Sequence, residues 1–542
     1  MIAQHLHPNM SVFFSSISET NPVQPGDAEA LLAPLGITIS PDESSDFNTL
    51  LAALHDCAEN VLALPDYQPI PDVNKYPREN VRRCTEEEQV LGHARSHKFL
   101  IRGNPNGGSL AGKSISLKDV IAVAGVPQLL GSDITPAWTP STDATVVTRV
   151  LDAGANIVGT STCENYCHST SSYTSAQGEN PHAMDYSAGG STSGGAALVA
   201  AGLVDITIGG DQGGSIRVPA ALCGCVGLKP THGRVPFTGI SSGDVLVDHA
   251  GPLARTTHEA ATCLDVISGY DGIDDRSLAS PAPGSTRFAE ALLQERSGRL
   301  DCFKVGILKE GFEHPLVDSR IKSLVRTAAK NLAKLGATVE EVSLPEHIHG
   351  PALWTILSRI AGTQTLLGHN TGRRVLCMTE AEQSRLPWTD AGFQRAFPST
   401  KNVLINGLYL MSRFPNIYGR ALNVGRRVSD QYQAIFEKYD VVVMPTTPVV
   451  APKHGKRGLP LESLQPSMGL TVNTAIFNVT GHPAMSIPVG FAPAKDDERV
   501  MLPVGMQIVG GLWQEEKILR VGHAWESCFD WREIRYSRDS NL

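Results

Sequence analysis

Hydrophobic positions follow two different periods along most of this chain. Over 143–151 the apolar residues lie three and four positions apart, which predicts an amphipathic helix that Gly154 ends. The same period predicts a helix over 320–335, and short apolar runs predict strands at 114–120, 156–158, 304–308, 338–342 and 441–444. Strands that alternate with helices predict an α/β fold with a mixed or largely parallel sheet and helices on both faces.

The N-terminal region has a different pattern. Residues 28–35 and 47–62 carry short helical patterns, and a proline-rich connector follows from Pro65 to Pro77. We therefore predict an N-terminal helical segment with its connector over 1–95 and a main domain over 96–542. Within the main domain, 345–430 is helical and rich in arginine, which favours an insertion on the substrate side.

Length and composition narrow the class of protein. A chain of 542 residues exceeds what one compact core normally supports, and 41% hydrophobic with 19% charged residues is typical of globular proteins. The net charge of -9 argues against nucleic acid or an anionic membrane as main partner. The 10 scattered cysteines predict free thiols in a reducing compartment, and neither a signal peptide nor a membrane-spanning run is recognisable. We therefore expect a cytoplasmic protein.

The most informative segment is the glycine-rich stretch 187–219. Two serine-bearing glycine turns flank an alanine-rich helix at 196–201 and a strand at 205–208. Glycines let the backbone approach a ligand closely, and backbone N–H groups beside an exposed hydroxyl can bind an oxyanion. The stretch therefore indicates a serine nucleophile in a backbone cradle. A phosphate-binding loop is excluded because no lysine follows the glycines.

Structural interpretations of the same two turns stay open at this point. Ser191 to Ser193 could simply cap the helix, and Gly213-Gly214-Ser215 could be a tight turn. A nucleophilic serine also needs a base, and His182 or His232, which flank the stretch, could in principle supply one. The Gly-x-Ser-x-Gly elbow of α/β-hydrolases is absent at Ser215.

Several segments together resemble the amidase signature family of serine hydrolases, over about 100–530. They are GKSISLKD at 112–119 with Gly131-Ser132, GGSTSG at 189–194, GDQGGSIRVPA at 210–220, GLKPT at 227–231, DHAGP at 248–252 and FNVTGHPA at 477–484. The resemblance implies a large, mixed, mostly open β-sheet with helices on both faces. It implies no cofactor and no metal, and a homodimer is common in the family.

The resemblance also implies a catalytic triad of two serines and a lysine. The nucleophile, the bridging serine that follows a cis peptide, and the lysine fall on Ser215, Ser191 and Lys118. The family commonly has Gly-Gly-Ser-Ser-Gly-Gly where this chain has Ser191-Thr192-Ser193, so Ser193 is a second choice for the bridge, and the spacing to Ser215 favours Ser191. The oxyanion would be held by backbone N–H groups of Gln212, Gly213, Gly214 and Ser215.

The other lysines and the cysteines have simpler interpretations. A lysine acts as a general base only when neutral, and burial disfavours its ammonium form; Lys118 ends a predicted strand, whereas Lys113 is interpreted as a solvated loop lysine and Lys229 as structural. Cys163, Cys167 and His168 have a spacing that a metal could use, but a structural zinc site needs four ligands, so no metal is expected. Cys223 and Cys225 are interpreted as packing, with a catalytic Cys–His pair there as the alternative.

The function that this resemblance implies is hydrolysis of a carboxylic acid amide to the carboxylate and ammonia or an amine, through an acyl-serine. The expected partner is a small-molecule amide, with no nucleic acid and no membrane. The chain is most similar to stand-alone amidases of broad aliphatic and aromatic specificity. The alternatives are the glutaminase subunit of an aminoacyl-tRNA amidotransferase, a fatty-acid amide hydrolase-like enzyme, and an inactive member that serves as a scaffold.

Overall fold

The computed structural model describes residues 17–131, 137–170, 177–294, 298–369 and 371–536. Ser132, which belongs to the Gly131-Ser132 motif, lies outside the described residues. The chain forms two compact units, Met1–Pro69 and Ile70–Leu542. Their boundary falls within the proline-rich connector that the sequence predicts.

The first unit contains two helices, α1 (Asp27–Leu32) and α2 (Pro41–Leu62). Ser40 and Glu43 form a capping box at the start of α2, in which each side chain accepts a hydrogen bond from the other residue's N–H group. Both helices overlap the helical patterns in the sequence.

The second unit is built on a 12-stranded sheet in the order β1-β2-β4-β3-β7-β9-β8-β13-β14-β12-β10-β11, and β5 and β6 form a separate pair. The strands are β1 (Glu79–Arg83), β2 (Arg95–Ile101), β3 (Ser114–Lys118), β4 (Asn156–Ser161), β5 (Glu179–Asn180), β6 (Ala183–Ser187), β7 (Ile206–Asp211), β8 (Val226–Lys229), β9 (His249–Ala254), β10 (Lys304–Leu308), β11 (Thr338–Val342), β12 (Val441–Pro445), β13 (Ala484–Pro493) and β14 (Met501–Gly510).

The sheet is mixed because two groups of parallel strands are joined by antiparallel ones. Strand β3 runs parallel to β4 and β7, and β10 runs parallel to β11 and β12. The pairs β7–β9, β9–β8, β8–β13, β13–β14 and β14–β12 are antiparallel. The predicted α/β fold with a large mixed sheet is confirmed.

The helices of this unit pack around the sheet and form one lobe of their own. They are α3 (Thr145–Asp152), α4 (Ser193–Ala200), α5 (Arg217–Cys223), α6 (Thr257–Ile267), α7 (Phe288–Gln294), α8 (Lys309–Glu313), α9 (Ser319–Asn331), α10 (Gly350–Leu366), α11 (Thr379–Gln383), α12 (Asp390–Arg395), α13 (Pro398–Arg413), α14 (Ile417–Phe436), α15 (Pro460–Leu464), α16 (Ile476–Val479) and α17 (Glu515–Cys528). Helix α10 packs on α13 and α14.

Burial explains why the chemistry-bearing elements are rigid. All residues of β7 and of α5 are buried, and α4 is buried from Ser193 to Val199. The small residues of α4 allow this, because a Cβ at Gly194 would overlap the backbone of Ala94, and one at Gly195 would overlap the Thr207 side chain of β7. The two serine turns at the ends of this helix–strand unit are therefore held inside the core.

Candidate active site

Lys118 lies at the end of β3 with its side chain completely buried. Its Nζ donates a hydrogen bond to Ser191 Oγ at 2.8 Å and to the carbonyl of Gly210 at 3.3 Å. The strand positions this contact, since β3 pairs directly with β7, which leads into the second serine turn. No acidic side chain of the described residues is paired with this lysine.

Ser191 follows a cis peptide bond from Gly190, as the resemblance implies. Its side chain is buried, and its carbonyl accepts a hydrogen bond from Glu164 N–H at 3.2 Å. Ser193 begins α4 instead, and its hydroxyl donates to the carbonyl of Thr162 at 3.5 Å. The cap position of α4 is Thr192, whose side chain caps no N–H group. Ser191 is therefore the serine of this tripeptide that contacts Lys118.

The Ser215 turn adjoins the Ser191 turn. Thr192 N–H donates to the carbonyl of Ser215 at 3.2 Å, which ties the two turns together. The side chain of Ser215 is almost buried but borders a cavity. The structure thus brings Lys118, Ser191 and Ser215 into one region, although they are distant in sequence.

Asp211, the last residue of β7, holds the nucleophile turn in shape. Its carboxylate accepts hydrogen bonds from Gly214 N–H at 2.7 Å and Ile216 N–H at 3.1 Å, on either side of Ser215. Burial by itself raises the pKa of Asp211, but the charge and hydrogen bonds of Arg217 outweigh burial and hold this pKa well below its usual range. The Gly214 N–H is thereby engaged and unavailable to an oxyanion.

Arg217 completes this buried network. Its fully buried guanidinium donates to Asp211 Oδ1 at 2.9 Å, to the carbonyl of Thr474 at 2.9 Å and to Gln507 Oε1 at 2.8 Å, and it also donates to Asn478 Oδ1. These partners come from three parts of the chain, namely Asp211, the segment with Thr474 and Asn478, and Gln507. A buried charge pair persists only when its hydrogen-bonding capacity is satisfied in this way.

Two side chains fix the peptide groups that precede Ser215. Trp354 Nε1 donates to the carbonyl of Gln212 at 2.6 Å, and Thr474 Oγ1 donates to the carbonyl of Gly213 at 2.7 Å. The side chain of Gln212 is held as well, because its Nε2 donates to Asp248 at 3.0 Å. A peptide plane whose carbonyl is bound has its N–H fixed on the opposite side, so these bonds preorganise the Gln212–Ser215 backbone.

A cavity of about 420 Å³ opens in front of Ser215. Gln212, Gly213 and Ser215 form one part of its wall, whereas Lys118 and Ser191 lie behind that wall. Helix α10 supplies another part through Trp354, Ser358, Arg359 and further residues at helical spacing. A cavity of this size accommodates a small molecule.

A model of the Amidase family matches residues 80–519. The chain belongs to the amidase family. The enzyme is accordingly an amidase, a hydrolase that acts on linear amide C–N bonds. Its 12-stranded sheet with buried serine turns is the fold of this family.

Relatives of this amidase include an enantioselective amidase and subunits of amidotransferases. An enantioselective amidase from Rhodococcus rhodochrous is 38% identical over 430 residues, covering 77% of this chain and 80% of the relative. A glutamyl-tRNA(Gln) amidotransferase subunit from Synechococcus is 33% identical over 455 residues, covering 83% and 85%.

Two solved structures resemble this chain in fold. One subunit of glutamyl-tRNA(Gln) amidotransferase from Thermotoga maritima has a TM-score of 0.65 at 27% identity and covers 81% of this chain and 88% of its own. The peptide amidase of Stenotrophomonas maltophilia has a TM-score of 0.61 at 27% identity, with coverage of 78% and 83%.

The alternative bases do not face the cavity of this amidase. His182 Nε2 lies 3.0 Å from the carbonyl of Cys223, and His232 Nε2 lies 3.1 Å from the carbonyl of Val245. Neither histidine borders the cavity beside Ser215. Burial lowers the pKa of His182, and it lowers the pKa of His232 to about 4. The structure therefore brings neither histidine to Ser215.

The other lysines and cysteines considered from the sequence make contacts that support the fold. Lys113 is paired with Glu259 at 2.7 Å, and the buried Lys229 donates to the carbonyl of His482 at 2.6 Å. Cys223 is buried and donates to the carbonyl of Ala188 at 3.2 Å, and Cys225 is also buried.

Cys167 and His168 both border the cavity. A hydrogen bond from Cys163 and the charge of Lys118 lower the pKa of Cys167. Within the ranges that the structure describes, no group of three or more histidine, cysteine, aspartate or glutamate side chains is arranged to hold a metal ion. In the same ranges, no helix is long and apolar enough to cross a membrane.

Several residues of the site have no motif that marks them in the sequence. Trp354 and Arg359 come from α10, Arg385 follows α11, and Thr474 and Gln507 support the turn from the C-terminal part. The helical spacing of polar and aromatic residues over 350–366 is a signal for a helix with a polar face. It does not say that this face meets Ser215.

Proposed function

We propose that this amidase hydrolyses a carboxylic acid amide to the carboxylate and ammonia or an amine through an acyl-enzyme on Ser215. The observation that carries the proposal is the buried contact of 2.8 Å between Lys118 Nζ and Ser191 Oγ, one backbone hydrogen bond away from Ser215. A lysine in contact with one serine hydroxyl, with a second serine in the adjoining turn, supplies the groups that a proton relay from the nucleophile to a base needs.

In the acylation step, the neutral amine of Lys118 accepts the proton of Ser191, and Ser191 Oγ accepts the proton of Ser215. The Ser215 Oγ forms a bond to the amide carbon, and the carbonyl oxygen becomes an oxyanion. We propose the N–H groups of Gln212, Gly213 and Ser215 as its donors. Gly214 is left out because its N–H already donates to Asp211.

The C–N bond then breaks as the proton returns from Lys118 through Ser191 to the leaving nitrogen. Ammonia or an amine departs, and the acyl group stays on Ser215. Water then attacks the ester carbon and gives a proton to the same relay, the bond between the acyl carbon and Ser215 Oγ breaks, and the relay returns that proton to Ser215 Oγ. The acid product loses its proton to solvent and leaves as the carboxylate.

The test is ammonia or amine release from a panel of short aliphatic, aromatic and amino-acid amides. We expect Ser215→Ala to abolish turnover and Lys118→Ala to lower kcat by roughly 10³-fold or more, since losing one triad member costs about that much in other serine hydrolases. Lys113→Ala is the control for Lys118, because Lys113 is paired with Glu259 outside the site. Unimpaired hydrolysis by Lys118→Ala enzyme would contradict the proposal.

Ser191 and Ser193 form a matched pair for the bridging role. We expect Ser191→Ala to lower kcat by at least roughly 10²-fold because it interrupts the proton relay. We expect Ser193→Ala to keep most of the activity, since its hydroxyl donates to Thr162. A larger loss in Ser193→Ala than in Ser191→Ala would assign the bridge to Ser193.

Labelling by a fluorophosphonate, lost in Ser215→Ala, separates an active enzyme from an inactive scaffold.

The relatives support a second function, the glutaminase step of a tRNA amidotransferase. The amidotransferase relative from Synechococcus is 33% identical over 83% of this chain, although the enantioselective amidase is more similar at 38%. We propose a stand-alone, cytoplasmic homodimer that acts on a small-molecule amide. Light scattering checks the dimer, and a glutaminase assay with and without amidotransferase partner proteins distinguishes the two functions. Glutamine hydrolysis that needs those partners would favour the second one.

A further inference from the structure

Two arginines border the cavity in front of Ser215, and within the described residues neither donates a hydrogen bond to a carboxylate. They are Arg359 of α10 and Arg385. Arg359 has no hydrogen bond or ion pair within the described residues, and its Nε is buried without an acceptor. Arg385 donates to the carbonyl of Thr365 at 3.0 Å and lies 3.9 Å from Glu382, while its Nε is also without an acceptor. Buried guanidinium groups are normally paired.

His168 borders the same cavity as the two arginines. Burial, together with the charges of Arg359 and Arg385, lowers the pKa of His168 to about 3. His168 therefore stays neutral and retains one N–H donor. The amides of Asn402 and Asn406 border the same cavity. This region offers many hydrogen-bond donors and an excess of positive charge.

The cavity wall also contains a carboxyl group, which opposes this positive charge when it is ionised. Asp244 borders the cavity, and its Oδ1 accepts a hydrogen bond from Leu246 N–H at 3.0 Å. Burial raises its pKa to about 7, so that near neutral pH a large fraction of it is uncharged. It is not paired with Arg359 or Arg385. The positive charge of the two arginines is therefore not neutralised from within the cavity.

Trp354 relates this charge to the catalytic turn. The indole donates to the Gln212 carbonyl at 2.6 Å, and its ring lies 5.8 Å from the guanidinium carbon of Arg359. One indole thus separates the Ser215 turn from Arg359. An acyl chain of similar length, such as a benzene ring or a short alkyl chain, would place its far end beside the guanidinium.

We propose that this amidase prefers substrates whose acyl part carries a carboxylate, and that Arg359 and Arg385 bind that carboxylate at the far end of the cavity. The proposal rests on the proposed acyl-enzyme function at Ser215, and it specifies the substrate class. A guanidinium binds a carboxylate through short, charge-assisted hydrogen bonds, and an otherwise unpaired buried charge makes this contact more favourable. With a neutral substrate, Arg359 would have no anion, and Arg385 would have only the Glu382 carboxylate at 3.9 Å.

The test compares amides that differ only in that carboxylate. The pairs are 4-carbamoylbenzoic acid with 4-methylbenzamide, and the monoamide of adipic acid with hexanamide. We expect kcat/KM to be at least ~10-fold higher for the anionic member of one or both pairs, because hydrogen bonds between two charged groups are stronger than those to a neutral group. Equal or lower values for both anionic amides would overturn the inference while leaving amide hydrolysis intact.

Variants connect the preference to the arginine. We expect Arg359→Met to lower the ratio of anionic to neutral kcat/KM by ~10-fold or more, mainly through KM, and Arg359→Lys to keep part of it, because lysine retains the charge without the bidentate geometry. Arg426→Met is the control, since Arg426 is exposed and pairs with Asp430; its ratio should equal that of the wild type. A ratio unchanged in Arg359→Met would overturn the assignment.

Binding can be measured separately from catalysis. Calorimetric titration of Ser215→Ala protein with each amide should give a Kd at least ~10-fold lower for the anionic member, and Arg359→Met in the same background should remove the difference. If wild-type enzyme hydrolyses none of the four amides, the titration still decides the carboxylate site on its own. Equal affinity for anionic and neutral amides would overturn it.

Discussion

At the scale of single residues, Asp211 organises the nucleophile turn. It accepts backbone hydrogen bonds on both sides of Ser215 and is paired with the buried Arg217. The pair is not a source of stability by its presence alone, because desolvation of two charges offsets most of their attraction. Its effect is geometric, since it sets which backbone N–H groups remain for a substrate.

Removing one partner of this pair should be costly. We expect Arg217→Met to lower the free energy of unfolding by about 3–5 kcal/mol, since Asp211 then stays buried without its counter-charge. Turnover should fall as well, because the Ser215 turn is built on Asp211. Chemical denaturation measures the change.

Arg499→Met is the control for Arg217→Met. Arg499 is largely exposed and pairs with Asp497 at 2.8 Å, so we expect its loss to change stability by less than ~0.5 kcal/mol. If Arg217→Met unfolds at the same denaturant concentration as Arg499→Met, the buried network does not have the role described above.

At the scale of elements, α10 connects the catalytic turn with the acyl end of the cavity. Its residues reach the Gln212 carbonyl through Trp354 and His168 through the face around Gly362. Helix α13 holds α10 in place through a close approach at Gly407, where a Cβ would overlap the Thr363 side chain and the carbonyl oxygen of Arg359. The position of Arg359 therefore depends on glycine in the neighbouring helix.

Gly407→Ala should separate these two helices. We expect a loss of about 1–3 kcal/mol in stability, because the added methyl group meets backbone that cannot move away without shifting α10. The preference for anionic amides should weaken together with stability. Thermal denaturation and the ratio of kcat/KM for the amide pairs measure both effects.

Gly419 in α14 is a matched control, because a Cβ at this helical glycine would meet nothing within 4 Å. Alanine there should be neutral or should stabilise the protein by about 0.5–1 kcal/mol through its higher helix propensity. Equal effects of Gly407→Ala and Gly419→Ala would show that the contact between α10 and α13 is not tight.

At the scale of the whole molecule, the second unit contains buried histidines whose pKa is lowered and buried acids whose pKa is raised. Burial lowers the pKa of His97 to about 4 and of His482 to about 3. It raises the pKa of Asp119 and of Glu526 to about 7. Through the histidines, the folded protein loses stability as pH falls below ~6.5, their pKa in the unfolded chain. Through the two acids, it loses stability as pH rises from ~4, their pKa in the unfolded chain, towards 7. The two sets therefore oppose each other between pH 4 and 7.

Glu526 allows this opposition to be measured. The folded protein keeps Glu526 protonated up to about pH 7, and the unfolded chain ionises it near ~4.3, so wild-type stability decreases through this group as pH rises between these values. Glu526→Gln removes that decrease. We expect its stability relative to wild type to increase from pH 5 to pH 7.5, by up to ~1.4 kcal/mol per pH unit inside the window. Denaturation at both pH values checks this, with the exposed Glu533→Gln as a control of constant difference.

Much of the fold could be predicted because its signals are local. The strands at 304–308 and 338–342 coincide with β10 and β11, and α3 and α9 begin within two residues of their predicted starts. In contrast, the order of strands in the sheet has no local signal. The placement of β8 between β9 and β13 brings Lys229 next to Ala484, far away in the sequence.

The residues of the candidate site also differ in how clearly the sequence marks them. The two glycine turns stand out by composition, but Lys118 was singled out by the resemblance, since a lysine at the end of a short strand has no distinctive pattern of its own. Arg359 and Arg385 had no signal at all, because an arginine in a helical region is normally solvated. What distinguishes them is a half-buried guanidinium whose Nε has no acceptor, which is a property of the packed structure.

The sequence by itself determined the family, the secondary structure around the two serine turns and the set of groups available for amide hydrolysis, because glycine spacing and hydrophobic period act over a few residues. Only the tertiary structure decided which serine contacts Lys118, which N–H Asp211 occupies and which charges remain unpaired in the cavity. These properties depend on contacts between distant residues, such as Arg217 with Gln507 and Trp354 with Gln212, and on the exclusion of water from those contacts. The contacts and their burial both form only when the chain folds.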